Sequence, residues 1–64
     1  MKFKVTFYQT TSDFKKKKVA HSENRFDKKT VAMNHAKMYV DGGEFAVAVV
    51  SSSDKSFTKV IGNP

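Results

Sequence analysis

The sequence predicts an α+β fold: a ββαββ chain whose four-stranded antiparallel sheet, of order 2-1-3-4, carries one helix packed on one face. Three observations predict it. Apolar and polar residues alternate over 2–8, helical periodicity follows Asp27, and a second apolar segment begins directly after Gly42-Gly43. The 64 residues suffice for a single small domain, residues 1–64, with a thin core.

The first predicted strand covers Lys2 to Tyr8. One face carries the apolar side chains Phe3, Val5 and Phe7, and the other carries Lys2, Lys4, Thr6 and Tyr8. This alternation is typical of a strand with one face in the core.

The second strand is predicted at Phe14–His21, after a polar hairpin loop at Gln9–Asp13. Phe14 and Val19 have opposite parity, so either a β-bulge separates them or Phe14 belongs to the loop. The four consecutive lysines 15–18 favour a sheet edge, because lysine discourages pairing between exposed edges.

The helix is predicted to begin after Asp27, a good N-cap, with Phe26 and Val31 forming a hydrophobic staple. One arc of this helix carries Val31, Ala32, His35, Ala36, Tyr39 and Val40. The helix should end at Asp41, where Gly42-Gly43 supplies the left-handed position that glycine adopts cheaply.

Two more strands complete the predicted sheet. Glu44–Ser51 is apolar on both faces, which is typical of an interior strand, and Ser56–Ile61 follows a turn. Residues 62–64 are expected to form a frayed tail. The helix would return the chain over the sheet, placing the third strand beside the first and leaving the second face open.

The charge balance predicts an acidic macromolecular partner. Twelve Lys and Arg oppose six Asp and Glu, a net charge of +6, which favours nucleic acid, an anionic membrane face or an acidic protein. Arg25 is the sole arginine, so attraction is favoured over base reading. Alternatively, the lysines serve only solubility and the protection of sheet edges.

The residue inventory argues against catalysis. Cysteine is absent, and His21 and His35 have no carboxylate at ligand spacing. Adjacent His21 and Ser22 would point to opposite sides of a strand, and His35 is interpreted as structural. We therefore expect no enzyme, no metal and no cofactor.

The apolar segments are short. The longest, Phe45–Val50, is too short for a secretory signal or a membrane span. We expect a cytoplasmic protein without membrane contact, either a monomer or a weak homodimer.

Two surfaces are candidates for binding. One is a basic hairpin at 15–18 with Arg25 nearby, and the other is the open sheet face with cations beside Tyr8. An edge strand could also accept a strand from a partner protein. The candidate partner-binding residues are Lys2, Lys4, Tyr8, Lys15, Lys16, Lys17, Lys18 and Arg25.

The order of elements also carries a family resemblance. An opening strand at 2–7, an alanine-spaced helix with Ala32 and Ala36, and the break at Gly42-Gly43 before the strand at 44–49 resemble small phage-encoded inhibitors of host machinery. These include inhibitors of bacterial RNA polymerase, antitoxins against a host RNase, and anti-CRISPR proteins. The likeness is architectural, so no functional residue is carried over, and the positive charge departs from the acidic members that mimic nucleic acid.

The resemblance implies a non-enzymatic modulator of a host protein or nucleoprotein complex, acting in the host bacterial cytoplasm through a basic surface and an edge strand. The alternative is a sequence-nonspecific nucleic-acid-binding module that uses Lys15–Lys18 and the basic sheet face.

Overall fold

A computed structural model describes residues 2–62. In chain order the elements are β1 (Phe3–Tyr8), α1 (Thr11–Lys15), β2 (His21–Phe26), α2 (Lys29–Asp41), β3 (Val47–Ser52) and β4 (Thr58–Gly62). The strands form one antiparallel sheet of order β2-β1-β3-β4, and α2 packs against it. The predicted fold class and strand order are therefore confirmed. The predicted tail is wrong at Gly62, which belongs to β4 and pairs with Val47, and residues 63–64 lie outside the described residues.

The core lies between α2 and one face of the two central strands. Val5 and Phe7 of β1 are fully buried, and they pair with the equally buried Val50 and Ala48 of β3. The buried residues of α2 are the small Ala32 and Ala36, with Phe26 of β2 closing one side. Each large apolar side chain removed from water contributes about 1.5–3 kcal/mol to folding.

The C-terminus of α2 is confirmed as predicted. Gly43 has φ 81°, and its N–H donates to the Val40 carbonyl over 3.1 Å, while the N–H of Glu44 donates to the Tyr39 carbonyl over 3.1 Å. These two bonds are the Schellman arrangement, which requires a left-handed residue after the helix.

The predicted start of α2 is wrong in detail. Lys28 is the N-cap and makes no side-chain capping bond, whereas Asp27 lies 3.9 Å from the ammonium group of Lys2. The staple is also absent: Val31 is 50% exposed, while Phe26 is buried and its ring lies 4.9 Å from that of His35. Phe26 pairs with Phe3 in the sheet, and the ring of Phe26 therefore packs in the core.

The predicted second strand, Phe14–His21, is wrong. Residues 11–15 form α1, whose N-cap Thr10 accepts a hydrogen bond from the Asp13 N–H over 3.0 Å. The ring of Phe14 meets that of Tyr8 edge-on at 5.2 Å, so Phe14 belongs to the connection between the strands. The strand begins only at His21, and lysines 15–18 lie at the end of a helix instead of along a sheet edge.

Lys17 occupies a backbone conformation that suits glycine. Its φ is 58°, and α1 ends in the same hydrogen-bond pattern as α2. The N–H of Lys17 donates to the Phe14 carbonyl over 3.1 Å, and that of Lys18 donates to the Asp13 carbonyl over 2.8 Å. A left-handed backbone costs a residue with a Cβ about 1–2 kcal/mol.

We predict that Lys17→Gly raises the free energy of unfolding, because glycine adopts the left-handed conformation without that cost. Allowing for the larger entropy of glycine in the unfolded chain, the gain should be roughly 0.5–1 kcal/mol in urea denaturation. Lys16→Gly is the matched control. Lys16 has φ −88°, so glycine there should lower stability, and equal effects of the two changes would contradict the prediction.

Candidate functional site

The sheet face opposite α2 is formed by the even-numbered residues of β1 and their partners, because directly paired residues project to the same side. We call this surface the open face. It comprises Lys4, Thr6, Tyr8, Ser22, Val47, Val49, Ser51, Thr58 and Val60. Within residues 2–62 none of its members is acidic.

One end of the open face is covered, contrary to the expectation that nothing packs on it. At this end α1 packs against β1, and Phe14 contacts the ring of Tyr8. Val47, the β3 partner of Tyr8, is fully buried. Tyr8 is itself half-buried, so its ring is shared with Phe14 instead of standing free as a stacking platform.

Lysines 15–18 lie at the covered end, and all four are exposed. The chain returns to the sheet where the N–H of Ala20 donates to the carbonyl of Phe7 over 2.9 Å. These four residues, called the lysine segment below, thus place cations where β1 finishes.

A second group of cations lies at the opposite end, where β1 begins. An open cleft there is lined by Lys2, Phe3, Lys4, Asn24, Ser51, Ser52, Ser53 and Lys55. We call it the lysine cleft. Its lining combines three cations with hydroxyl and amide groups, and it contains no carboxylate.

The turn between β3 and β4 is fixed by Asp54. Its Oδ1 accepts hydrogen bonds from the Ser52 hydroxyl at 2.7 Å, and from the Ser56 hydroxyl at 2.7 Å and N–H at 3.0 Å. Ser52 is buried, and its hydroxyl also accepts the N–H of Phe57. The bonds from Ser56 and then Ser52 lower the pKa of Asp54 to about 2. This carboxylate is therefore occupied within the turn.

The prediction that Arg25 lies near the lysine segment is wrong. It lies near the end of β2 that pairs with Phe3, whereas the lysine segment precedes the opposite end of that strand. Its Nε donates to Oε1 of Glu23 over 3.1 Å, and its guanidinium lies 5.3 Å from the ring of Phe26. Arg25 is thus engaged on the side of the sheet that faces α2.

Glu23 is the centre of a polar group that sequence reasoning missed. His35 of α2 donates from Nε2 to Oε2 of Glu23 over 2.6 Å, and Nε2 of His21 lies 3.9 Å from the same oxygen. Partial burial acts to raise the pKa of Glu23, but the hydrogen bonds from His35 and Arg25, with the charge of Arg25, outweigh it and lower the pKa below the ordinary 4.5.

An irregular register explains why this group escaped prediction. The pairing shifts between Phe3 and Val5, so β2 has two residues opposite Lys4, and Glu23 and Phe26 both face α2 despite their opposite parity. The position of His35 at the edge of the apolar helical arc was the one available signal. Within residues 2–62 no group of three His, Cys, Asp or Glu side chains could hold a metal ion. The bond between Glu23 and His35 joins β2 to α2.

The comparisons with known proteins add no family. No protein-family model, curated protein or solved structure gives a significant match to this chain. In the described part of the chain, no helix is long and apolar enough to cross a membrane.

We predict that Asp54 makes stability fall in acid. Its folded pKa, about 2, lies below the ordinary 3.8, so its contribution is complete above pH 3.8 and is lost as the pH falls toward 2. Asp54→Asn should flatten the pH dependence of the urea midpoint in this window. Ser56→Ala should do so partly, because it removes one of the hydroxyl donors. An unchanged acid limb in Asp54→Asn would show that the turn does not hold this carboxylate.

We also predict that Glu23→Gln destabilises the fold by about 1 kcal/mol at neutral pH, because it removes charge-assisted hydrogen bonds to His35 and Arg25. The lowered pKa of Glu23 means that this contribution is present above pH 4.5 and declines as the pH falls through the folded value. Asp27→Asn, in the exposed pair with Lys2, is the control and should cost less than about 0.5 kcal/mol. A loss no larger than the control's would refute the link.

Proposed function

We propose that this protein binds single-stranded nucleic acid along its open face. The observation that carries the proposal is the distribution of charge: the open face bears no acidic residue within 2–62, and exposed lysines lie at both of its ends. Attraction to phosphates by such lysines is independent of sequence and depends on salt.

The carboxylates lie mostly away from this surface. Glu23 faces α2, Asp41 and Glu44 lie around the end of α2, and Asp54 is held within its turn. Two carboxylates are exceptions: Asp13 lies in the first turn of α1, and Asp27 lies 3.9 Å from the ammonium group of Lys2. Seven of the twelve cations lie at the two ends of the open face, namely Lys2, Lys4, Lys55 and lysines 15–18, and this favours an anionic ligand there.

The middle of the open face favours a single strand over a duplex. Between the two lysine groups lie Thr6, Val49 and Val60, and Val60 is 39% exposed. Uncharged and apolar side chains can contact the faces of unpaired bases, whereas a duplex presents phosphates on its outside. The six residues of β1 separate the two groups by roughly 17–20 Å, which a strand of several nucleotides spans.

The phage-type resemblance implies a non-enzymatic modulator of a host complex. This second function stays a prediction. Its structural support is that β2 and β4 are the edges of the sheet, where a partner strand can add by main-chain hydrogen bonding. A pull-down from bacterial lysate, with and without nuclease, separates the two functions. A stoichiometric protein that survives nuclease favours the modulator.

We predict that a single-stranded oligonucleotide of about 12 nucleotides binds with an affinity that falls as salt rises. Lys16→Gln/Lys18→Gln should weaken binding and reduce the slope of log affinity against log salt by about 1.4, two contacts at about 0.7 each. Lys28→Gln/Lys37→Gln removes the same charge beside and on α2, and is the control that should change the slope little. Fluorescence anisotropy across salt measures both.

Two results would overturn the proposal. One is undetectable or salt-insensitive affinity at ~50 mM salt. The other is an equal loss of affinity in the control, which would show that only net charge matters.

A further inference from the structure

We infer that the lysine cleft is a phosphate-binding subsite, the point at which the open face holds one phosphate group of its ligand. The inference rests on the proposed function for the identity of that ligand. The cleft itself can be tested with inorganic phosphate alone.

Three cations approach the cleft from two parts of the chain. Lys2 and Lys4 come from the start of β1, and Lys55 comes from the turn between β3 and β4. Within residues 2–62 neither Lys4 nor Lys55 forms an ion pair. Lys2 has a single contact at 3.9 Å with Asp27, and both side chains are mostly exposed, so this contact is readily exchanged for a ligand.

The backbone beneath these lysines is firmly held. The N–H of Ser53 donates to the carbonyl of Lys2 over 2.8 Å, which ties the start of β1 to the turn. The N–H of Lys55 donates to the carbonyl of Ser52 over 3.0 Å, and Asp54 closes the turn from within. Donors on a fixed frame lose less entropy on binding than donors on a mobile loop.

Lys55 occupies this turn at a cost to the backbone. Its φ is 62°, a conformation that glycine or asparagine adopts more easily. Within residues 2–62 the residues other than glycine with positive φ are Lys17 and Lys55, and they lie at opposite ends of the open face. A strained residue held by its surroundings is a mark of functional sites, and here the property that lysine adds is positive charge.

The donor set fits phosphate better than carboxylate. Lysine ammonium groups act as point charges, and Ser51 and Asn24 add a hydroxyl and an amide to the lining. The planar fork of arginine, which matches a carboxylate, is absent from the cleft. A terminal phosphate monoester carries about −1.5 to −2 charge at pH 7, so three lysines should favour it over a phosphodiester.

The experiment is a titration of the ¹⁵N-labelled protein with inorganic phosphate at constant ionic strength, followed by amide shifts. We expect saturable shifts at Lys2, Lys4 and residues 51–55. Lys55→Asn should weaken binding about tenfold, because it removes a cation while asparagine tolerates the left-handed backbone. Lys37→Asn removes the same charge from an exposed position of α2 that does not line the cleft, and should leave phosphate binding unchanged. Absent or non-saturable shifts, or equal effects of the two variants, would overturn the inference.

Oligonucleotides then identify the source of the phosphate. Tighter binding of a 5′-phosphorylated strand than of its 5′-hydroxyl form, abolished by Lys55→Asn, supports capture of a strand end. Equal binding of both strands, with competition by inorganic phosphate, supports capture of a backbone phosphodiester.

The titrations also separate this inference from the proposed function. If phosphate saturates the cleft and neither oligonucleotide binds, the inference stands and the proposed function fails. If the oligonucleotides bind without any effect of Lys55→Asn or of phosphate, the inference fails and the proposed function stands.

Discussion

The pairing of β1 with β3 is the constraint on which the rest of the molecule depends. Its register sets Val5 against Val50 and Phe7 against Ala48, so that these four buried side chains share the face that packs against α2. A shift of one residue would turn these side chains to the other face and bring Lys4 or Thr6 into the core. Because only Ala32 and Ala36 of α2 are buried, the helix can lie close to this pair.

This pairing also separates two kinds of polar chemistry. On the α2 side, hydrogen bonds join Glu23 to His35 and Arg25 beside the rings of Phe7 and Phe26. Such a group is satisfied internally and strengthens the attachment of an edge strand. At the two ends of the open face, the lysines form a single ion pair within residues 2–62, that of Lys2 with Asp27, and this leaves most of their charge exposed to solvent.

At both ends of the open face, a lysine occupies a backbone conformation that lowers stability and adds a positive charge. A chain of this size has a thin core, so a strained residue is a noticeable fraction of its stability. Lysine nevertheless occupies the left-handed position that ends α1 and the one in the β3–β4 turn. The main-chain bonds of Lys18 to Asp13 and of Lys55 to Ser52 hold these conformations in place.

Sequence reasoning identified the elements that local pattern controls. Alternation located β1, helical periodicity and Gly43 located the body and end of α2, and the two apolar faces of β3 gave it a central position. Lys4 could be assigned to the open face for the same reason. The expected segment of β2 was wrong because a run of lysines carries no signal that distinguishes a strand from the end of a helix. The contact between Phe14 and Tyr8, which places Phe14 in the connection between the strands, depends on the tertiary structure.

The sequence by itself therefore determined the fold class, the strand order, the excess of positive charge and the face that β1 buries. The excess of charge follows from composition, and the other properties follow from periodicity, which can be read from a few neighbouring residues. Only the tertiary structure decided which charges meet. The irregular register of β2 brought Glu23 to His35, and the β3–β4 turn brought Lys55 to Lys2 and Lys4. These contacts join residues far apart in the chain, and their geometry depends on register and backbone conformation that no local pattern specifies.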